Sequence, residues 1–255
     1  MSKPPFITII TAALNSKTTI KKTLESVRNQ TFQDVEHIVI DGGSRDETLE
    51  ILKEYENTYN LTWISESDKG ISDALNKGLG LSSGRYIIVI QADDQLLHPD
   101  ILDDVFTQLE NEKFDVLSFP VILDHPVKGE ILSKPIQHLW WNHFKFVFRH
   151  QGCFVHKHVF DQIGMFRNRF KICMDYDFFY RALARNCSVK FGQTPVALMG
   201  GEGVGSNPEF ILKRLKEDRL VQILNERNIL WKAAQYVFHT LYVPYKSLTL
   251  PNNAS

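Results

Sequence analysis

The sequence predicts an α/β domain with a mostly parallel sheet and its chemistry gathered on one rim of that sheet. Three observations carry this. Apolar, β-rich runs alternate with segments of helical periodicity through the first half of the chain, the pattern of βαβ units. One run, Tyr86–Ile90 (YIIVI), is apolar throughout and reads as a central, buried strand. Acids follow three of the four strand ends, which is where open parallel sheets bind their ligands.

Each element follows from local pattern. Phe6–Thr11 (FITIIT) is the first strand, followed by the turn residues Asn15-Ser16, and Ile20, Leu24 and Val27 then share one helix face. Val35–Ile40 (VEHIVI) is the second strand and runs into Asp41-Gly42-Gly43. Ser44 with Glu47 three residues on has the form of a capping box, so a helix through Leu49, Leu52 and Tyr55 is expected to start there. Leu61–Ser65 is a strand and Ile71–Leu81 a helix; Tyr86–Ile90 then delivers Gln91-Ala92-Asp93-Asp94. Pro99 suits the first turn of a helix carrying Ile101, Leu102, Val105, Phe106 and Leu109.

Beyond Phe114 the pattern changes. Asp115–Leu123 and Glu130–Lys134 read as paired strands, Leu139–Phe148 (LWWNHFKFVF) as an irregular aromatic segment, and Gln151–Val155 as a short strand. A helix over Asp175–Asn186, strands at Val189–Phe191 and Pro195–Met199, and a long helical pattern from Pro208 to Asn228 complete the chain. No linker or repeat intervenes, so one continuous domain is expected: a nucleotide half over 1–112, an acceptor half over 113–205 and a C-terminal helical segment over 206–255.

Composition narrows the classes. Hydrophobic residues at 43% and charged residues at 23% exclude disorder and fibrous repeats. The 29 Lys+Arg against 30 Asp+Glu leave a net charge of −1, so no nucleic-acid partner is expected. Residues 206–255 nevertheless hold seven basic and four acidic side chains, net +3. Cys153, Cys173 and Cys187 form no CxxC pair, which removes disulfide-framework and zinc-knuckle readings. The longest apolar stretch, Ala233–Tyr245, has 13 residues, short of the ~18–20 that span a bilayer. The N-terminus reads as a strand rather than a signal peptide, so a cytoplasmic location is expected.

Neither a GxxxxGK[ST] loop nor a GxGxxG between the first strand and helix occurs, so P-loop and ordinary nicotinamide chemistry lose their support. Asp93-Asp94 is the sharpest feature. Adjacent acids repel unless a cation or hydrogen-bond donors stabilise them; a hard divalent cation does so, and so does service as a helix cap. Asp41-Gly42-Gly43-Ser44 offers close backbone approach and a carboxylate for a ribose hydroxyl or base N–H, or a plain strand-to-helix turn. Asp73, Asn76 and Lys77 share a helix face, as an ion-paired surface would. Asp175 suits a helix N-terminus. The aromatic cluster Trp140, Trp141, Phe144, Phe146 and Phe148 fits sugar stacking or core. Segment 229–248 fits a membrane interface or a packed terminal helix broken at Pro244.

Three of these segments, taken with His150-Gln151, Asp175-Tyr176-Asp177 and Gly200-Gly201, resemble a known family. The run Ser65-Glu66-Ser67-Asp68-Lys69-Gly70-Ile71-Ser72-Asp73-Ala74-Leu75-Asn76-Lys77-Gly78 is the most telling. From Phe6 to Gly205 the order is similar to the inverting family 2 glycosyltransferases of GT-A fold, especially the colanic-acid and O-antigen-type polysaccharide subgroup. The resemblance implies that Asp41 contacts base or ribose, with Asp68 and Asp73 lining the same pocket. It implies that Asp93 touches the ribose and that Asp94 ligates Mg²⁺ or Mn²⁺ on the sugar-nucleotide diphosphate. Asp175 matches the catalytic base; His150 and Arg181 fall at acceptor-site positions. Two departures stand out: Gln91 replaces the first acid of a full DxD, and Met174 replaces a Glu common before the base.

The chemistry needs little more. Inverting transfer requires a base for the acceptor hydroxyl, worth about 10²–10⁴ in rate, and stabilisation of a departing nucleoside diphosphate. Asp175 and Asp94 form the minimum set. The expected reaction moves a sugar from a UDP- or GDP-sugar to a growing, lipid-linked saccharide, with peripheral membrane contact through 229–248. Sugar-phosphate nucleotidyl transfer is a competing class, but Ala12-Ala13-Leu14-Asn15 lacks its Gly-rich, basic loop. A non-catalytic nucleotide-sugar-binding module is another.

Overall fold

A computed structural model describes residues 3–110, 113–125, 127–200 and 210–249. The predicted alternation is present as β1 (Ile7–Ala13), α1 (Ile20–Arg28), β2 (Val35–Asp41), α2 (Thr48–Tyr55), β3 (Leu61–Ser65), α3 (Ile71–Leu81) and β4 (Tyr86–Val89). Next come β5 (Gln95–Leu96), α4 (Ile101–Glu110), β6 (Val116–Ser118), β7 (Val121–His125) and β8 (Gly129–Ser133). A 3₁₀ turn at Leu139–His143 precedes β9 (Cys153–His156), α5 (Lys157–Ile163), α6 (Met174–Ala184), β10 (Val189–Phe191) and β11 (Ala197–Met199). The last described elements are α7 (Ile211–Asn225) and α8 (Ile229–Thr249). Gly201, Pro208 and the rest of 201–209 lie outside the described residues.

The main sheet has the order β10-β6-β9-β4-β1-β2-β3. It is parallel except at β9, which runs antiparallel to both β4 and β6. Strand alternation sends side chains to both faces. Ile9 and Ile88 pack with Leu102 and Val105 of α4, and Ile10, Ile87 and Val89 pack with Leu75 of α3 and Phe178 of α6. Each such side chain stabilises the fold by about 1.5–3 kcal/mol. Register then sets the rim. Ala13 pairs with Asp41 and Asp41 with Ser65, while Val89 pairs with Ile10, so the chain beyond β4 climbs to the level of the other strand ends before reaching Asp93.

Three expectations are corrected. The helix after β2 starts at Thr48, not Ser44, because Ser44 donates to Asp41 instead and Asp46 accepts the Thr48 N–H at 3.1 Å. The strand expected over Asp115–Leu123 is two strands in different sheets, β6 in the main sheet and β7 in the four-stranded β5-β11-β7-β8. Pro120 has no N–H to continue a ladder, and there the Phe119 N–H turns to the Gly152 carbonyl at 2.8 Å. Finally, α8 runs through Pro244 rather than breaking there. The interior proline costs about 3 kcal/mol, and inward contacts such as Phe238 against Phe144 at 5.2 Å oppose it.

Candidate active site

The acids expected on the sheet rim fall into two groups. Asp41, Asp68 and Asp73 lie where β2 and β3 meet the start of α3, whereas Asp93, Asp94, His150 and Asp175 gather where β4, β9 and α6 converge.

Asp41 does not reach outward. It is 0% exposed, and its carboxylate accepts from the N–H groups of Gly43 (3.0 Å) and Ser44 (2.9 Å) and the hydroxyls of Ser44 and Ser65 (2.7 Å). These four donors make it the anchor of the 42–44 loop rather than a group open to base or ribose. Asp68 faces that loop: a Cβ on Gly42 would sit 2.6 Å from Asp68 Oδ2. Glycine is what permits this approach. Asp73 accepts the Lys69 N–H at 3.1 Å and lies 3.7 Å from Lys77; that N–H bond, helped by Lys77, holds its pKa below the ordinary carboxylate value.

At the second group, Asp94 is 1% exposed. Its carboxylate accepts the Gln91 N–H at 3.1 Å and the Gly200 N–H at 3.0 Å, and the Gln151 side chain adds a further bond. Burial, and next the charge of Asp93, nevertheless push its pKa up to about 6. Asp93 is only half-buried. The end of β11 closes over it, since a Cβ on Gly200 would lie 2.7 Å from Asp93 Oδ2. The family resemblance implies a metal at Asp94; the structure buries Asp94 and leaves Asp93 the more exposed of the two.

Among the described residues no three His, Cys, Asp or Glu side chains cluster as a metal cage. An acid pair whose inner member resists ionisation does fit a hard cation that takes one or two protein carboxylates. Such a cation completes its shell from phosphate and water.

Across from this pair, His150 Nδ1 lies 3.3 Å from Asp175 Oδ2. Burial disfavours the charged imidazolium, but the hydrogen bond and charge of Asp175, joined by Asp94 and Asp93, hold the His150 pKa above its ordinary value. Its Nε2 and both amide atoms of Gln91 are buried without a partner. His150, Gln91 and Asp175 border one cavity of about 30 Å³ walled by Leu75, Val89, Phe160 and Phe178, room for one or two waters.

Arg181 is elsewhere. It pairs with Asp177 at 3.0 Å and donates to the carbonyls of Ile163, Gly164 and Met165 at 2.5, 3.1 and 2.9 Å, tying α5 to α6 instead of facing Asp175. Two further residues shape the site: Gln151, whose side chain bonds Asp94, and Glu217. Glu217 of α7 accepts the N–H groups of Lys171, Ile172 and Cys173, its shortest bond 2.8 Å. It thereby brings a carboxylate to the helix end where Met174 supplies none, which favours the positive helix terminus. Nothing local in the sequence marks it. Among the aromatics, Phe146 and Phe148 pack on Phe179 in the core, while Trp140 is half-exposed and stacked on Trp141 at 4.4 Å.

Comparison with known proteins bears on the family and the fold. The chain is 29% identical over 190 residues to the PGL/p-HBAD biosynthesis glycosyltransferase of Mycobacterium bovis, covering 71% of this chain and 70% of that one. It is 38% identical over 104 residues to the chondroitin synthase of Escherichia coli, covering 40% of this chain and 15% of that protein. Among solved structures it superposes on S. aureus TarS 1–349 in complex with UDP-GlcNAc with a TM-score of 0.74 at 18% identity, covering 97% and 76% of the two chains. Against the longer TarS chain it spans 46% of that length. It also superposes on the mannosyltransferase PcManGT from Pyrobaculum calidifontis, solved with GDP-Man and Mn²⁺, with a TM-score of 0.70 at 15% identity, covering 98% and 74%. These structures share the GT-A fold. The model of "Glycosyl transferase family 2" matches residues 8–176, and this chain belongs to that family.

Proposed function

We propose that this glycosyltransferase moves one sugar from a UDP- or GDP-sugar to a saccharide acceptor, lipid-linked in polysaccharide assembly, with inversion at the anomeric carbon. The observation that carries this is the convergence of the Asp175–His150 pair with Asp93-Asp94 on one rim. Asp175 takes the proton of the attacking acceptor hydroxyl, and His150 holds its carboxylate in place. One base suffices, because inversion by direct displacement needs no carboxylate nucleophile. Asp93 and Asp94 would hold Mg²⁺ or Mn²⁺, with Asp93 outward and Asp94 fixing the β4 and β11 ends behind it. When bound, the ion neutralises charge developing on the diphosphate. Asp68 and the 42–44 loop line the nucleoside side, and Asp73 supports the turn that presents Asp68.

The test is the melting temperature with UDP, GDP, CDP and dTDP, with and without Mn²⁺, followed by NMR of the product's anomeric configuration. A nucleotide at ~100 times its Kd adds about 2.7 kcal/mol of stability. The expected result is a shift with one nucleotide and metal, lost in Asp93→Asn, and an inverted product. No shift with any nucleotide overturns the donor site. A retained product configuration overturns the single-base mechanism, and full turnover by Asp175→Asn overturns the assignment of the base.

A further inference from the structure

On α7 and α8, charge and apolarity are sorted by side. Residues 210–249 hold seven Lys/Arg and three Asp/Glu, and the three acids all turn inward. Glu217 accepts from the start of α6, Asp218 accepts the Cys173 thiol at 3.2 Å, and buried Glu226 accepts the Tyr180 hydroxyl at 2.6 Å. Outward stand Lys213, Lys216, Arg219, Arg227 and Lys232, all exposed.

α8 is apolar on both sides, and inward Trp231 and Phe238 pack on Phe144. Its buried side carries Gln235 and His239, bonded to the His143 carbonyl at 2.9 Å and to Gln222 at 2.7 Å. Its solvent side carries Ile229 (74% exposed), Val237 and Leu241 (69% exposed) along one helical stripe. Leu220 and Ile223 of α7 are exposed as well. A helix whose outer side meets only water keeps that side polar, and an exposed apolar stripe of this kind marks an interaction surface.

We propose that α7 and α8 dock this protein on an anionic lipid surface, with the apolar stripe in the interface and the flanking Lys/Arg on the headgroups. Charge complementarity selects the occupant. The outward face has cations and no acids from these helices, so a second copy meeting it face to face would set like charges together, whereas acidic headgroups match it. Among the described residues no helix is long and apolar enough to cross a membrane, which fits helices lying along the surface. Since Glu217 of α7 grips the start of α6, docking would hold the Asp175 end of that helix near the bilayer. This goes beyond the proposed reaction and is tested without any sugar nucleotide.

The test is co-sedimentation of the full chain with phosphatidylcholine vesicles, with and without phosphatidylglycerol, for wild type, Val237→Glu/Leu241→Glu and Lys216→Glu/Arg219→Glu. Wild type is expected to sediment with the anionic vesicles and to be released by salt. Each double variant, melting as wild type does, is expected to bind at least about tenfold more weakly. Should one variant fail to fold, the other decides. Wild type left in the supernatant with anionic vesicles overturns the proposal, as does unchanged binding by the folded variants. A wild-type oligomer that Val237→Glu/Leu241→Glu dissociates also overturns it, by assigning the face to a second copy.

Discussion

His150 Nδ1 and Asp175 Oδ2 stand 3.3 Å apart, the first residue just before β9 and the second in the opening turn of α6. Asp175→Asn should lower kcat by about 10²–10⁴ while leaving the melting temperature near wild type. His150→Ala should cost less, because the base remains and only its positioning partner is lost. The measurement is kcat beside that of Asp175→Asn, and an undiminished kcat would argue that His150 only packs against Asp175.

Asp177, two residues on, should behave in the opposite way. It is fully buried and bonded to Arg167 (3.0 Å), Arg181 (3.0 Å) and Asn225 (2.9 Å). Asp177→Ala leaves the mostly buried Arg181 guanidinium without its counter-charge and should cost about 3–5 kcal/mol, read as denaturation at lower urea. Comparable loss of stability in Asp175→Asn would contradict this division of labour.

Asp94 should make the metal-free protein sensitive to pH. Its pKa rises from 3.8 to about 6 on folding, so the folded state binds the extra proton. The corresponding stability is present below pH 4 and lost as pH rises through 6, in total about 3 kcal/mol. The raised pKa of His150 acts in the same direction, its contribution lost above its own folded value. Asp94→Asn should flatten the wild-type gain in melting temperature between pH 7 and pH 5. An identical slope in both proteins would show that Asp94 is not its source.

Gly200→Ala probes the closure over the acid pair. The added methyl would lie 2.7 Å from Asp93 Oδ2 and 2.8 Å from the Asp93 carbonyl. Relief of that contact displaces either the β11 end or Asp93, at about 1–3 kcal/mol. Donor nucleotide should bind more weakly in the presence of metal, as calorimetry would show. Wild-type affinity would mean that the rim tolerates the shift.

Much of the fold is legible in local pattern. The period-2 and period-3.6 runs specify β1 to β4 and α1 to α4, and strand-end acids mark the rim, because side-chain periodicity follows directly from backbone geometry. The rest depends on packing between distant segments. Whether an acid faces a ligand or a protein donor depends on what folds against it. Ser44 and Ser65 close Asp41, Gly200 returns from β11 to cover Asp94, and Asp177 rather than Asp175 takes Arg181. Glu217 reaches α6 only through the packing of α7, a relationship between distant segments that no local pattern encodes.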